Sequence, residues 1–169
     1  MDKINYALES FKNIQDLIKF ADQKAGAVLI VVGLIFTAFV QYLEKLTFSL
    51  DTLTTLGALT FLSGFTTIFC LTMVLYYSVF KILKPRFAKN YKDSELSTFY
   101  FEHINVESKE LHEKYETIKV EKMLKDIIDQ QIEVSNILNE KNKYLSKSFV
   151  WLFMSLFASF IFILISIQL

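Results

Sequence analysis

Three long stretches without a charged residue dominate the pattern of apolar and polar positions along the chain. They cover Ala25–Leu43 (19 residues), Thr52–Phe80 (29 residues) and Ser148–Leu169 (22 residues). A helix of roughly 20 apolar residues crosses the hydrocarbon core of a bilayer, which is about 30 Å thick. A segment in lipid must also satisfy its own backbone hydrogen bonds, which favours a helix. The pattern therefore predicts three transmembrane helices.

The segment before the first uncharged stretch is amphipathic. Its apolar residues recur at intervals of three and four: Ile4, Ala7, Leu8, Phe11, Ile14, Leu17, Ile18 and Ala21. This spacing places them on one face of a helix. Two arrangements bury that face equally well. One is a cytosolic helix that continues into the first span, and the other is a helix that lies on the membrane surface.

A second helical pattern leads into the third uncharged stretch. Its apolar seam has the spacing of a coiled coil and comprises Leu124, Ile127, Gln131, Val134, Leu138, Lys141 and Leu145. No glycine or proline follows residue 86, so we expect one helix over residues 121–168, about 72 Å long. The two polar residues in the seam, Gln131 and Lys141, either fix register and oligomeric state or face a ligand.

Together these patterns predict an all-α membrane protein with a small helical cytosolic domain between the second and third transmembrane helices. The last helix is expected to be continuous from cytosol into membrane. The predicted segments are a cytosolic amphipathic helix at 1–24, spans at 25–43, 52–80 and 148–169, an external loop at 44–51, and a cytosolic helical region at 81–147. Within that region Pro85 should end the second helix, Glu107–Glu116 reads as a short charged helix, and residues 97–104 fit either a strand or a helix.

The distribution of basic residues predicts the orientation. The region 81–147 carries 13 of the 18 basic residues and the N-terminal segment carries four, whereas the loop 44–51 carries only Lys45. Basic loops stay on the cytoplasmic side of a membrane. The N-terminus and residues 81–147 are therefore expected in the cytosol, and the loop 44–51 and the C-terminus outside.

All four glycines of the chain lie in the first two spans. They form two pairs, each seven residues apart: Gly26 with Gly33, and Gly57 with Gly64. Small residues let membrane helices approach closely, so these faces are predicted to pack the first two spans together. Alternatively, Thr60, Ser63 and Thr67 line a water-filled path. Packing is favoured because such hydroxyls can bond carbonyls of their own helix.

Several classes of function find no support in the sequence. Eighteen acidic and 18 basic residues leave no overall basic surface for nucleic acid. The glycine-free cytosolic region has no phosphate-binding loop. His103 and His112 lie nine residues apart with no cysteine between them, which does not suggest a metal site. We predict no catalytic residue, metal or cofactor, and the absence of charges in the spans argues against an ion-coupled transporter.

Three short elements occur in a fixed order around the spans. The first is Ala21-Asp22-Gln23-Lys24-Ala25, directly before the first span, and the second is the aromatic stretch Phe99–Ile104. The third consists of Gln131-Ile132, Ser135, Ile137-Leu138 and Lys141, ahead of the last apolar helix. In these elements, and in the order of its spans, the chain resembles the Pycsar transmembrane effectors, small bacterial membrane proteins of cyclic-nucleotide antiphage defence. The resemblance covers roughly residues 15–165.

This resemblance implies a receptor-effector of the bacterial inner membrane. A partner cyclase would make cyclic CMP or cyclic UMP, and the effector would bind that nucleotide in the cytosol. It would then disrupt the inner membrane and abort the infection. We expect no cofactor other than this activating ligand, and we expect a homo-oligomer in the lipid bilayer.

The resemblance also suggests where the ligand binds. A cyclic nucleotide offers one negative charge and a flat base, which suit cationic and aromatic side chains. The ligand candidates are Lys84 and Arg86 for the phosphate, Phe99, Tyr100 and Phe101 for the base, and His103, Gln131 and Lys141 from the matching elements. Alternatively, the two cations are interfacial anchors and the aromatic residues are core. Asp22 and Lys24 are expected to pair at the membrane face and support the helix junction.

Two other functions compete with a gated effector: a ligand-independent membrane scaffold and a holin-like pore. A holin would be toxic when expressed alone, and a scaffold would be inert with or without a cyclase. A gated effector would be toxic only beside an active cyclase.

Overall fold

The structure is a computed structural model that describes residues 2–44, 55–85 and 108–168. Every regular element in these ranges is helical. The elements are α1 (Lys3–Leu43), α2 (Thr55–Leu75), a π-helix that continues α2 (Tyr76–Leu83), α3 (Ser108–Thr117) and α4 (Val120–Ser166). The predicted all-α class is confirmed, and α3 is the charged helix expected between the second and third spans. The ambiguous stretch 97–104 lies outside the described residues.

Three helical segments are long and apolar enough to cross a membrane: Lys3–Leu43, Thr55–Leu83 and Val120–Ser166. The 41 residues of α1 run without a break from the amphipathic segment into the first span. Of the two arrangements considered for the amphipathic segment, the structure therefore has the helix that continues into the first span, and not a separate helix on the membrane surface. The 47 residues of α4 likewise confirm the predicted continuous helix. The chain is a multi-pass membrane protein.

The second span ends in a wider helical turn. In the π-helix Tyr76–Leu83 the backbone N–H of Lys84 donates to the carbonyl of Val79, five residues earlier, at 3.1 Å. At Lys84 the backbone turns to ψ 126° and leaves the helical region. The ring of Pro85 explains this turn, because it disfavours a helical conformation at the residue before it. The predicted end of the second helix at Pro85 is confirmed.

The chain divides into two compact units. The first unit contains Met1–Phe20 and Pro85–Glu140, and the second unit contains Ala21–Lys84 and Lys141–Leu169. All three uncharged stretches belong to the second unit, whereas α3 belongs to the first. Both α1 and α4 contribute to both units.

The three spans pack around a small apolar core in the second unit. Val28 and Val32 of α1 meet Leu71 and Val74 of α2, and these four side chains are at most 3% exposed. Ile35, Trp151 and Leu152 pack against this cluster. Large apolar side chains on the outside include Phe61, Phe65, Phe153 and Phe157, each more than 60% exposed. A bilayer covers such a surface.

The small residues of the spans divide into two groups. Gly64 is buried, and a Cβ atom there would meet the ring of Phe162 at 3.1 Å and that of Phe39 at 3.6 Å. Gly64 therefore permits close packing, whereas Gly57 lies half-buried in α2. A Cβ atom at Gly26 or Gly33 would meet nothing within 4 Å. Among the described residues these two glycines therefore do not pack the first two spans together, contrary to the prediction.

Five hydroxyl groups along α2 donate to carbonyls of their own helix. Thr60 donates to the carbonyl of Leu56 at 2.9 Å, and Thr67 donates to that of Ser63 at 3.0 Å. Ser63 in turn donates to the carbonyl of Thr60 at 2.9 Å. Thr60 and Thr67 are fully buried. These residues are therefore packed and bonded within α2, as the sequence favoured, rather than arranged along a water-filled path.

Candidate functional site

The two alanines of the Ala21–Ala25 element lie on the buried face of α1. Ala21 is 3% exposed and Ala25 is 0% exposed, and one helical turn separates them. Ala25 packs against Ile82 of the π-helix and Leu145 of α4. The methyl side chains allow α1 to approach its neighbours closely, as small residues do between membrane helices.

An ion pair joins α1 to α4 beside these alanines. The Nζ of Lys141 donates to Oδ1 of Asp22 at 2.5 Å. The lysine side chain is 8% exposed and the aspartate side chain 36%. Removing an ammonium group from water is costly unless an opposite charge lies within contact distance. Asp22 supplies that charge, so the pair holds the two helices in register.

This pair bears on two predictions. Among the described residues Asp22 pairs with Lys141, whereas the sequence suggested Lys24 as its partner, and Lys24 lies exposed. Lys24 is two residues from Asp22, and side chains at that spacing point to different sides of a helix. Lys141 was also a ligand candidate, but its ammonium group is buried against Asp22. The structure therefore supports a junction role for Asp22, which was predicted, and for Lys141, which was not.

Tyrosines and lysines cluster where the π-helix meets α4. The rings of Tyr77 and Tyr144 are stacked at 6.1 Å between centroids. The ammonium groups of Lys81 and Lys147 each lie 5.8 Å from the centroid of Tyr144. Aromatic rings and lysines are typical of the end of a span at the membrane–water interface. The composition of the cluster is therefore that of a span end at the edge of a bilayer.

A buried pair of hydroxyl groups also ties the π-helix to α4. The Oγ atoms of Ser78 and Ser148 lie 2.9 Å apart, and both residues are fully buried. One hydroxyl donates to the other in a region that has little water, so the contact fixes which faces of the two helices meet.

The first unit contains a groove between the beginnings of α1 and α4. Its volume is about 450 Å³. We call it the α1–α4 groove, and its lining residues are Lys3, Tyr6, Ala7, Ser10, Leu124, Ile128 and Gln131. The lining combines one cation, one aromatic ring, a hydroxyl, an amide and three aliphatic side chains. A groove of this size and composition suits a small molecule with polar and apolar parts.

Gln131 connects the two sides of the α1–α4 groove. Its Nε2 donates to the backbone carbonyl of Ala7 at 2.6 Å. Ala7 is 7% exposed and Gln131 is half-buried. In the part of the chain that the structure describes, the Oε1 of Gln131 accepts no hydrogen bond. Gln131 thus holds α1 and α4 together and still presents an acceptor.

Of the predicted ligand residues that the structure describes, Gln131 belongs to the first unit, whereas Lys84 and Lys141 belong to the second. Gln131 lines the α1–α4 groove, but Lys141 lies ten residues further along α4, about 15 Å away along the helix axis. Lys84 is exposed at the end of the π-helix and does not line the groove. The remaining candidates, Arg86, Phe99, Tyr100, Phe101 and His103, lie outside the described residues.

Sequence reasoning missed three polar residues of the groove: Lys3, Tyr6 and Ser10. They recur at intervals of three and four along α1, so the spacing of a polar stripe could have identified them. The stripe is inconspicuous because a surface helix ordinarily carries polar residues on one side. Only the position of α4 distinguishes this stripe from an ordinary solvated face.

The comparisons with known proteins agree with one another. A family model described as the Pycsar effector protein domain matches residues 6–168. The chain is also 34% identical over 98 residues to the Pycsar effector protein TpPycTM of Treponema porcinum, an alignment that covers 58% of this chain and 80% of that protein. No solved structure matches the chain. The family match includes Tyr6, Asp22, Gln131 and Lys141, and therefore parts of both units.

Proposed function

Because the chain belongs to the Pycsar effector family, an antiphage membrane effector family, we propose that it couples a cyclic nucleotide signal to membrane damage. The proposed signal is cyclic CMP or cyclic UMP from a partner cyclase. The effector binds it in the cytosol, then disrupts the inner membrane and aborts the infection.

The observation that carries this proposal is the family match over residues 6–168, which includes both compact units. The second unit contains the three apolar helical segments that a membrane effector needs. The first unit offers the α1–α4 groove, whose size suits a small ligand. In this proposal one chain contains both the receptor and the membrane-spanning effector.

The orientation belongs to the proposal as well. The basic region 81–147 and the N-terminal segment carry 17 of the 18 basic residues, and basic segments stay cytoplasmic. In this orientation the first unit faces the cytosol, where a cyclase makes its product. The loop 44–51 and the C-terminus face outward.

The helices that cross from one unit to the other supply a mechanism. A ligand shifts an equilibrium only by binding one state better than another. In the proposed mechanism, binding in the first unit changes how the beginnings of α1 and α4 pack. Both helices continue into the second unit, so the change reaches the third span and repacks it within a homo-oligomer.

The test is dye release from liposomes that contain the purified full-length chain. Cyclic CMP or cyclic UMP should release the dye, whereas linear 5′-CMP should not. In cells, expression should be toxic only beside an active cyclase. Absence of release with either cyclic pyrimidine nucleotide, despite confirmed insertion, would overturn the proposal. Release without any nucleotide would support a holin-like pore instead.

A further inference from the structure

We propose that the α1–α4 groove is the binding site of the activating cyclic pyrimidine nucleotide. The inference rests on the proposed function for the class of ligand, but the place and the contacts come from the groove itself. Its volume of about 450 Å³ lies within the roughly 300–1,000 Å³ of typical small-molecule sites. It lies within the first unit, which contains none of the three uncharged stretches.

Lys3 supplies the charge for the phosphate. Among the described residues that line the groove, it is the one that carries a charge. Within the described ranges Lys3 makes no ion pair, so its ammonium group is available. The N-terminus of α1 is less suited to an anion, because Asp2 already accepts the N–H of Ile4 at 3.4 Å. The Lys3 side chain therefore binds the phosphate, at the distance of a charge-assisted hydrogen bond.

Tyr6 supplies the surface for the base. Tyr6 lines the groove and is 67% exposed, so its ring is accessible to a ligand. Among the described residues it contacts no other ring. Stacking on an aromatic face is a common way to hold a nucleic acid base. Leu124 and Ile128 complete the apolar lining, and one tyrosine ring suits a base with a single ring.

Ser10 and Gln131 supply polar contacts beside the base. The Ser10 hydroxyl can donate or accept, and the Oε1 of Gln131 is an acceptor. Gln131 already links α4 to the carbonyl of Ala7 in α1. A nucleotide that contacts Tyr6 and Gln131 together bridges the same two helices. It therefore stabilises the state in which their beginnings are close, which is the differential binding that a ligand-driven switch needs.

The test is the affinity of the full-length chain, in detergent or nanodiscs, for cyclic CMP and cyclic UMP by calorimetry. Tyr6→Ala should weaken binding of the activating nucleotide roughly tenfold or more, and Lys3→Gln about fivefold to tenfold. The matched control is Lys12→Gln, the same substitution on the same helix at an exposed residue outside the groove. It should change the affinity by less than about twofold.

The outcomes distinguish failure of the groove from failure of the proposed function. If the wild type binds a cyclic pyrimidine nucleotide but either groove variant binds as tightly, the groove is wrong and the proposed function stands. An equal loss in Lys12→Gln would also overturn the groove, because it would indicate nonspecific attraction. If the wild type binds neither nucleotide, the proposed function itself fails. Lys3 and Tyr6 are exposed, so the variants should fold, and unchanged helicity by circular dichroism checks this.

Discussion

Two alanines and one ion pair explain the sequence element that precedes the first span. Ala21 and Ala25 are small because their side of α1 is buried, and Ala25 contacts both the π-helix and α4. The carboxylate of Asp22 supplies the counter-charge without which burial of the Lys141 ammonium group in α4 would be costly. Each residue of this face therefore has a physical role in joining α1 to α4.

The ion pair leads to a prediction at the residue scale. Asp22→Asn should destabilise the chain by roughly 1–3 kcal/mol, because Lys141 keeps its charge in a nearly buried site. The loss should be smaller than for a fully buried pair, since Asp22 is 36% exposed. Thermal unfolding in detergent, followed by circular dichroism, measures the change.

The matched control for Asp22→Asn is Asp16→Asn. Asp16 makes an exposed ion pair with Lys19 on the same helix, with side chains 55% and 72% exposed. Such pairs contribute little, so this variant should unfold like the wild type. Adding Lys141→Met to Asp22→Asn should recover most of the stability, because no buried charge is then left alone. Equal effects of Asp22→Asn and Asp16→Asn would contradict this account.

At the scale of the helices, continuity is the main feature of α4. Its 47 residues contain no glycine or proline, so nothing in the sequence interrupts the backbone hydrogen bonds. The same helix lines the groove with Gln131, carries Lys141 and includes the third span. A helix of this kind transmits a displacement along its axis, which the proposed mechanism requires.

A break in α4 tests this transmission. Asn139 is exposed and lies just before the residues of α4 that belong to the second unit. Proline there removes one backbone hydrogen bond and clashes with the carbonyl of Ser135, a local cost of about 3 kcal/mol. Asn139→Pro should bind the nucleotide but release little dye from liposomes.

Asn139→Ala is the control for the proline variant, because alanine favours the helix and leaves the backbone bonds intact. It should bind nucleotide and release dye like the wild type. Nucleotide binding by Asn139→Pro would also confirm that the first unit remains folded. Full dye release from the proline variant would argue against α4 as the transmitting element.

At the scale of the whole molecule, charge and hydrophobicity separate along the chain. The three uncharged stretches belong to the second unit, whereas the first unit contains most of the basic region 81–147. The apolar core of a bilayer accommodates the uncharged stretches and excludes the charged region. The side of the membrane on which the first unit lies then decides whether an intracellular nucleotide can reach it.

Cysteine labelling tests this orientation. The natural Cys70 is 2% exposed within a span, so the wild type should not react with a membrane-impermeant maleimide. Gln168→Cys, at an exposed position near the C-terminus, should react in intact spheroplasts. Lys119→Cys, between α3 and α4, should react only after the membrane is permeabilised. The opposite pattern would place the first unit outside the cell and exclude an intracellular ligand.

The sequence by itself determined which segments span the membrane and which helices are continuous. Both follow from local properties: apolar length sets the spans, and the absence of glycine and proline leaves α4 unbroken. The family resemblance also depended on short elements, and the family match confirms it. The end of the second helix at Pro85 is equally local, since the proline ring acts on the residue before it.

Only the tertiary structure decided which residues meet. Asp22 and Lys141 are 119 residues apart, and Ala7 and Gln131 are 124 apart. Their contacts depend on the rotation of each helix about its axis, which the packing of the whole helix face sets. For the same reason Gly64 is packed, whereas Gly33 meets open space. A sequence pattern identifies the face of a helix, but it does not identify the neighbour that covers that face.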